Sequence, residues 1–144
     1  MRRLIPGLFA LLFLCHAHTF SQSPVHLTVK ASKGDGIYRI LDRYEARNPC
    51  NLTYFYQINN LKKGQGLKLG QTYKIPVLVY PYNGRSIRTT LSKNDMEWAK
   101  GIQAYNERMN ALGLKSRDYR KDKKLWVTYA HLNCSDQVKS EGSS

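Results

Sequence analysis

Acidic residues are scarce in this chain: 10 Asp and Glu stand against 23 Lys and Arg, giving a formal net charge of +13 over 144 residues. The excess points to polyanions or anionic surfaces as partners. Histidine and cysteine are equally sparse, at 4 and 3 residues. Zinc chemistry needs three or four ligands. Beyond the first 21 residues only His26, His131, Cys50 and Cys134 offer soft donors, and no two of them stand at ligand spacing. The chain has no H-E-x-x-H and no G-x-S-x-G elbow. Asp118 and Asp122, a conceivable carboxylate pair for glycoside cleavage, sit among Arg and Lys, where solvated ion pairing is the default. No apolar run approaches the roughly 20 residues of a membrane-spanning helix. A large multidomain enzyme is excluded by length. Catalysis has no visible support, and no metal or organic cofactor is called for.

What is present begins with an export pattern. Met1-Arg2-Arg3 is positive, Leu4 to Leu14 is apolar, and a stretch through His16-Ala17-His18-Thr19-Phe20-Ser21 follows, the order of a secretory signal peptide over residues 1–21. Cleavage after Ser21, with Thr19 at the −3 position, is favoured over cleavage after Ala17. A lipid anchor on Cys15 is the rival, weakened by the large Leu14 before it. Cleavage leaves 21 basic against 10 acidic residues, a formal +11. The expected location is the periplasm or envelope of a bacterium, or the medium. Export permits disulfides, so Cys50 and Cys134 are either a bridge or two isolated thiols.

Val25, Leu27 and Val29 alternate with His26 and Thr28, the period of a half-buried strand. Lys33-Gly34-Asp35-Gly36 ends it, and Asp35 is placed to cap a short helix carrying Ile37, Ile40, Leu41 and Tyr44. Arg47-Asn48-Pro49 breaks that helix. Asn51 is the expected cap of a second, with Leu52, Phe55 and Ile58 as its apolar stripe, closed by Asn59-Asn60. A loop with glycines at 64, 66 and 70 leads to a second strand, where Tyr73, Ile75 and Val77 alternate with polar residues and which ends near Pro76. The expectation is an α+β unit of order β-α-α-β, its two strands antiparallel and both helices on one face.

These residues resemble the LysM family of glycan-binding modules. Gly34-Asp35-Gly36-Ile37-Tyr38-Arg39-Ile40, then Arg43-Tyr44, Phe55 to Leu61 with Ile58-Asn59-Asn60-Leu61, and finally Leu67, Leu69-Gly70-Gln71, Tyr73, Ile75 and Pro76 stand in the family's order over residues 26–77. Three departures stand out: Gly36 replaces the usual Thr or Ser, the first strand-to-helix loop is about two residues long, and the link between the helices carries an insertion with Pro49-Cys50. The resemblance implies a groove for peptidoglycan or a chitin-like N-acetylglucosamine polymer between residues 34–38 and 60–66. Its candidate contacts are Gly34, Asp35, Gly36, Ile37, Tyr38, Asn60, Leu61, Lys62 and Lys63. In that reading loop amides bond N-acetyl carbonyls, Ile37 and Leu61 receive acetyl methyls, Tyr38 takes a sugar face, and Arg39, Lys62 and Lys63 meet peptide carboxylates. Gly34 and Asp35 also fit a plain turn and cap, and Ile37 also fits the core. Neither Gly34-Asp35-Gly36, with Arg39 where a third glycine is required, nor Gly64, Gly66 and Gly70 fits a phosphate loop.

Residues 78–91 read as a connector. Ser92 followed by Asp95 starts a helix in which Trp98, Ile102, Tyr105, Met109 and Leu112 repeat at about 3.6, ended by Gly113. Arg117 to Lys124 is a basic run, Leu125 to Tyr129 a short strand, and 135–144 a polar tail. Residues 92–134 are thus expected as a helical extension, packed on the first unit through Trp98 and Trp126. The basic run with Tyr119 and Trp126 would also suit nucleic acid, which an exported chain rarely meets. Such modules precede zinc domains in some exported cell-wall amidases, so the chain also resembles the front end of an N-acetylmuramoyl-L-alanine amidase or an accessory to a wall hydrolase. The expectation is a binding protein and not an enzyme. Asn51-Leu52-Thr53 and Asn133-Cys134-Ser135 fit the glycosylation acceptor pattern.

Overall fold

The alternating segments pair into a three-stranded antiparallel sheet in the order β1-β2-β3, with β1 at Val25–Lys30, β2 at Thr72–Pro81 and β3 at Lys124–Thr128. The structure, a computed structural model, describes residues 23–134. The expected leader, its rival anchor Cys15 and the polar tail lie outside the described residues. Among the described residues no helix is long and apolar enough to cross a membrane.

Between β1 and β2 lie α1 (Ile37–Arg43) and α2 (Pro49–Ile58). The cap of α2 is Asn48, not Asn51: the Asn48 Oδ1 accepts from the Asn51 amide at 2.8 Å. Pro49 sits in the first turn, where it has no hydrogen bond to lose, so the residue expected to separate the helices instead opens the second. Asn51 is fully buried. Its Nδ2 donates to the Ala46 carbonyl at 2.9 Å and its Oδ1 accepts from the Ala130 amide at 2.8 Å, so this acceptor pattern is not available to a glycan in the folded chain.

β2 runs on past Pro76 to Pro81. Opposite Leu27 the register skips from Leu78 to Lys74, a bulge that holds Pro76, which has no N–H for the ladder. The bulge lets a proline lie inside a central strand, and the strand past it gives β3 its partner. The sheet expected to have two strands therefore has three.

Beyond β2 come α3 (Ile87–Thr90), α4 (Met96–Ala111), α5 (Tyr119–Asp122) and α6 (Tyr129–Asn133). Of the expected Ser92 and Asp95 start, Asp95 alone caps α4, its carboxylate accepting from the Trp98 amide at 3.0 Å, while Ser92 lies before the helix with a φ of +53°. α4 lies along the open edge of β3, where the buried Asn106 accepts from the Trp126 amide at 2.9 Å and donates to its carbonyl at 2.8 Å. Tyr105 and Met109 of α4 enter the core of the first unit with Ile40, Leu41, Phe55, Ile75, Val77 and Trp126. Ile102 joins a second cluster with Ile87, Ala99, Tyr119, Leu125 and Val127. Trp126 thus packs on the first unit as expected, whereas Trp98 rests on the second cluster and donates its indole N–H to the His131 carbonyl at 2.7 Å. Cys50 and Cys134 are bonded as a disulfide, tying α6 to α2. Beside it Tyr54 and Tyr129 stack at 3.6 Å.

His131 lies against the Thr128 hydroxyl, 2.7 Å from its Nδ1. Burial, with a smaller contribution from the Arg108 charge, holds its pKa below the ordinary 6.5. A depressed histidine binds fewer protons folded than unfolded. Its contribution is therefore complete above about 6.5 and is lost as pH falls from there through the folded value. We expect the melting temperature to fall between pH 7 and pH 5, and His131→Gln to flatten that part of the profile. An unchanged slope in the variant excludes His131 as the source.

Candidate functional site

Lys30 pairs with Thr72, so the loop that leaves β1 and the loop that enters β2 emerge at the same end of the sheet. Two backbone bonds tie them there, from the Ala31 amide to the Gln71 carbonyl at 2.9 Å and from the Gly70 amide to the Ala31 carbonyl at 2.8 Å.

On the first loop, Gly34 has a φ of +85°, a conformation that suits glycine, and its carbonyl accepts from Arg39 at 3.1 Å. Arg39 is thereby turned back onto the loop. Asp35 does not cap α1. Its Oδ2 accepts from the Ser32 amide at 2.8 Å and its Oδ1 pairs with Arg43 at 2.6 Å; these bonds, the Ser32 amide first, hold its carboxyl below the usual range. Gly36 occupies the cap position instead, and no side chain caps the helix. The Asp35–Arg43 pair fixes the turn and leaves the carboxylate little capacity for a ligand.

Ile37 is buried in the main core and Tyr38 is about half exposed, so adjacent residues of α1 point in opposite senses. The guanidinium of Arg47 lies 4.7 Å from the Tyr38 ring centroid, a cation–π contact, and also donates to Asp42 at 3.1 Å. A sugar must therefore use the opposite face of Tyr38 or displace Arg47. The sequence carried no sign of this pairing, because nine residues and a chain reversal at Glu45, with φ of +47°, separate the two.

On the second loop, Asn59 joins α2 to β2. It donates to the Phe55 carbonyl at 2.9 Å and the Lys74 carbonyl at 2.8 Å, and it accepts from the Lys74 amide at 2.9 Å. Asn60 is exposed with a φ of +52°, which reverses the chain, and Leu61 packs half-buried against the core that holds Ile37. Lys62 and Lys63 are exposed and form no ion pair among the described residues. The Lys62 amide donates to the Gln65 Oε1 at 3.1 Å, and the Gln65 amide donates to the Lys62 carbonyl at 2.9 Å, closing the turn on itself. Ile37 and Leu61 thus support the loops from below, while Lys62, Lys63 and the face of Tyr38 away from Arg47 are left for a ligand. Among the described residues no three His, Cys, Asp or Glu side chains are grouped to hold a metal. Asp122 pairs with the buried Lys115 at 2.6 Å and Asp118 with Arg120 at 3.1 Å.

Compared with known proteins, the chain matches no family model, no curated protein and no solved structure.

Proposed function

We propose that this chain is an exported carbohydrate-binding protein that holds peptidoglycan, or a related N-acetylglucosamine polymer, without altering it. The binding element is residues 26–77, read as a LysM-like module. One observation carries the reading: the loop that leads into α1 just before Tyr38 and the loop that bears Lys62-Lys63 meet at the same end of an antiparallel β1–β2 pair, with two helices between the strands in sequence, the arrangement a groove between them requires. Tyr38 supplies a flat apolar face and the lysines supply charge for carboxylates on a peptide-bearing wall. A single such groove binds weakly, and the net basic charge adds attachment to an anionic envelope.

Co-sedimentation of residues 22–144 with insoluble peptidoglycan, and separately with chitin, tests this. Pelleting should persist at high salt, and the Tyr38→Ala, Lys62→Ala variant should bind about tenfold more weakly, the loss of roughly one aromatic contact. Pelleting that disappears in salt, or a variant that pellets like the parent, rejects the groove and leaves the basic surface as a general polyanion binder. An accessory role in a zinc amidase instead predicts wall hydrolysis that appears only when a second, catalytic chain is added.

A further inference from the structure

Away from these loops, a cavity of about 270 Å³ opens between the 82–88 turn, the first half of α4 and α5. Its charged lining is of one sign, namely Arg85, Arg88, Lys100 and Arg120, with no acid among its walls. Two of these cations already have partners: Lys100 meets Glu97 at 2.8 Å, and Arg120 meets Asp118 at 3.1 Å and Glu107 at 3.7 Å. Arg85 and Arg88 form no ion pair among the described residues. Arg88, which borders the cavity, donates from one nitrogen to the Asn94 Oδ1 at 2.8 Å on the side of a neighbouring hollow, a bond that leaves its charge uncompensated and its other nitrogens free of any ion pair among the described residues.

The turn that carries Arg85 and leads into α3, where Arg88 sits, is already satisfied internally. The Asn83 Oδ1 accepts from the Arg85 and Ser86 amides at 2.9 and 3.2 Å, its Nδ2 donates to the Thr89 hydroxyl at 2.9 Å, and Ser86 caps α3. The backbone beneath both guanidiniums is thus ordered before an anion arrives, Arg88 is further held by Asn94 while Arg85 is exposed, and their planar forks match carboxylate or phosphate.

The rest of the lining decides between those anions. Ile87, Ala99 and the half-exposed Met96 give the cavity an apolar side, so a bare inorganic ion would use only part of it. Tyr82 and Tyr119 meet edge to face at 4.9 Å, and Arg120 covers Tyr119 at 4.6 Å from its centroid. With the rings engaged in this way, the cavity lacks the open stacking platform that single-stranded nucleic acid uses. We infer that the cavity binds a short acidic peptide segment, two carboxylates on Arg85 and Arg88 and an apolar side chain between them on Met96 and Ile87. This site is separate from the proposed glycan groove and does not depend on it.

Titration of the full chain, followed by amide NMR shifts, with acetyl-Glu-Leu-Glu-amide tests the inference. Saturable shifts are expected in residues 85–88, 96–100 and 119–120. Affinity should fall about tenfold for acetyl-Gln-Leu-Gln-amide and likewise for the Arg85→Gln, Arg88→Gln variant, with Arg88→Lys intermediate. The amide peptide leaves the protein untouched, so its result does not depend on how the variant folds. Shifts centred elsewhere, no saturation, or equal binding of the two peptides overturns the proposal. So does tripolyphosphate binding as tightly as the acidic peptide, which would make the site one for phosphate chains.

Discussion

Replacing Cys50 and Cys134 together by serine should lower the unfolding free energy by about 4 kcal/mol and the melting temperature by about 15 °C, without changing the native near-UV circular dichroism at 20 °C. The first part follows from loop closure. The bond joins residues 84 apart in sequence, and in chain-entropy models a cross-link of that span removes a large share of the freedom of the unfolded chain. The second part follows from what else holds α6 in place. The Ala130 amide donates to Asn51 at 2.8 Å, Tyr129 stacks on Tyr54 at 3.6 Å, and the Trp98 indole donates to the His131 carbonyl at 2.7 Å. These contacts keep α6 docked in the native state once the sulfurs are gone, so the loss falls on the balance with the unfolded chain and not on the native packing. Thermal unfolding of the oxidised chain, the reduced chain and the double variant checks both parts. A shift below about 3 °C, or a near-UV spectrum that collapses in the variant, contradicts the division of labour between bond and packing.

How much of this was legible in the sequence varies with the length of the pattern. Sixteen residues of α4 repeat their apolar positions over four turns, so that helix is legible directly, its start to within the few residues that separate Ser92 from the cap at Asp95. α3 and α6, with four and five residues, are too short to show a period at all. β3 is legible as a strand from the short apolar run Leu125-Trp126-Val127, but such a run names no partner. Its pairing depended on β2 continuing past Pro76, and proline normally argues against a central strand. Polar residues misled in a consistent way. Asn51 and Asp35 both stand where a helix cap is expected, before an apolar stripe, and each is instead engaged in a longer-range bond, to Ala130 and to Arg43 respectively. Position along the chain indicates that a side chain can accept a hydrogen bond, not which donor the fold will present.

The candidate groove follows the same rule. The stripe beginning at Ile37 already suggested that this residue belongs to the core, and it is buried there beside an exposed Tyr38. Arg47 above Tyr38 was not readable, because a chain reversal brings it there. The cationic cavity was hidden for a similar reason: Arg85 and Arg120 lie 35 positions apart and only the packing of α4 and α5 against the 82–88 turn joins them.

Asn106→Leu should be nearly as damaging as loss of the disulfide, by about 3 kcal/mol, even though leucine is of similar size and apolar. Asn106 is 1% exposed and serves both main-chain groups of Trp126 on the edge of β3 that no strand covers among the described residues. Leucine leaves that N–H and that carbonyl buried without partners, at about 1–3 kcal/mol each. Against this, the added apolar surface returns about 1–2 kcal/mol if the side chain fits without strain. The unpaired groups outweigh the gain. The variant should also lose protection from hydrogen exchange first at Leu125 to Val127, because the edge of β3 is what Asn106 closes, while β1 stays protected. An exposed edge is a template for pairing with another chain, so slow aggregation on warming should accompany the loss. If Asn106→Leu melts at the parental temperature, water or a local shift has replaced the amide, and α4 is held to β3 by Ile102, Tyr105 and Met109 alone.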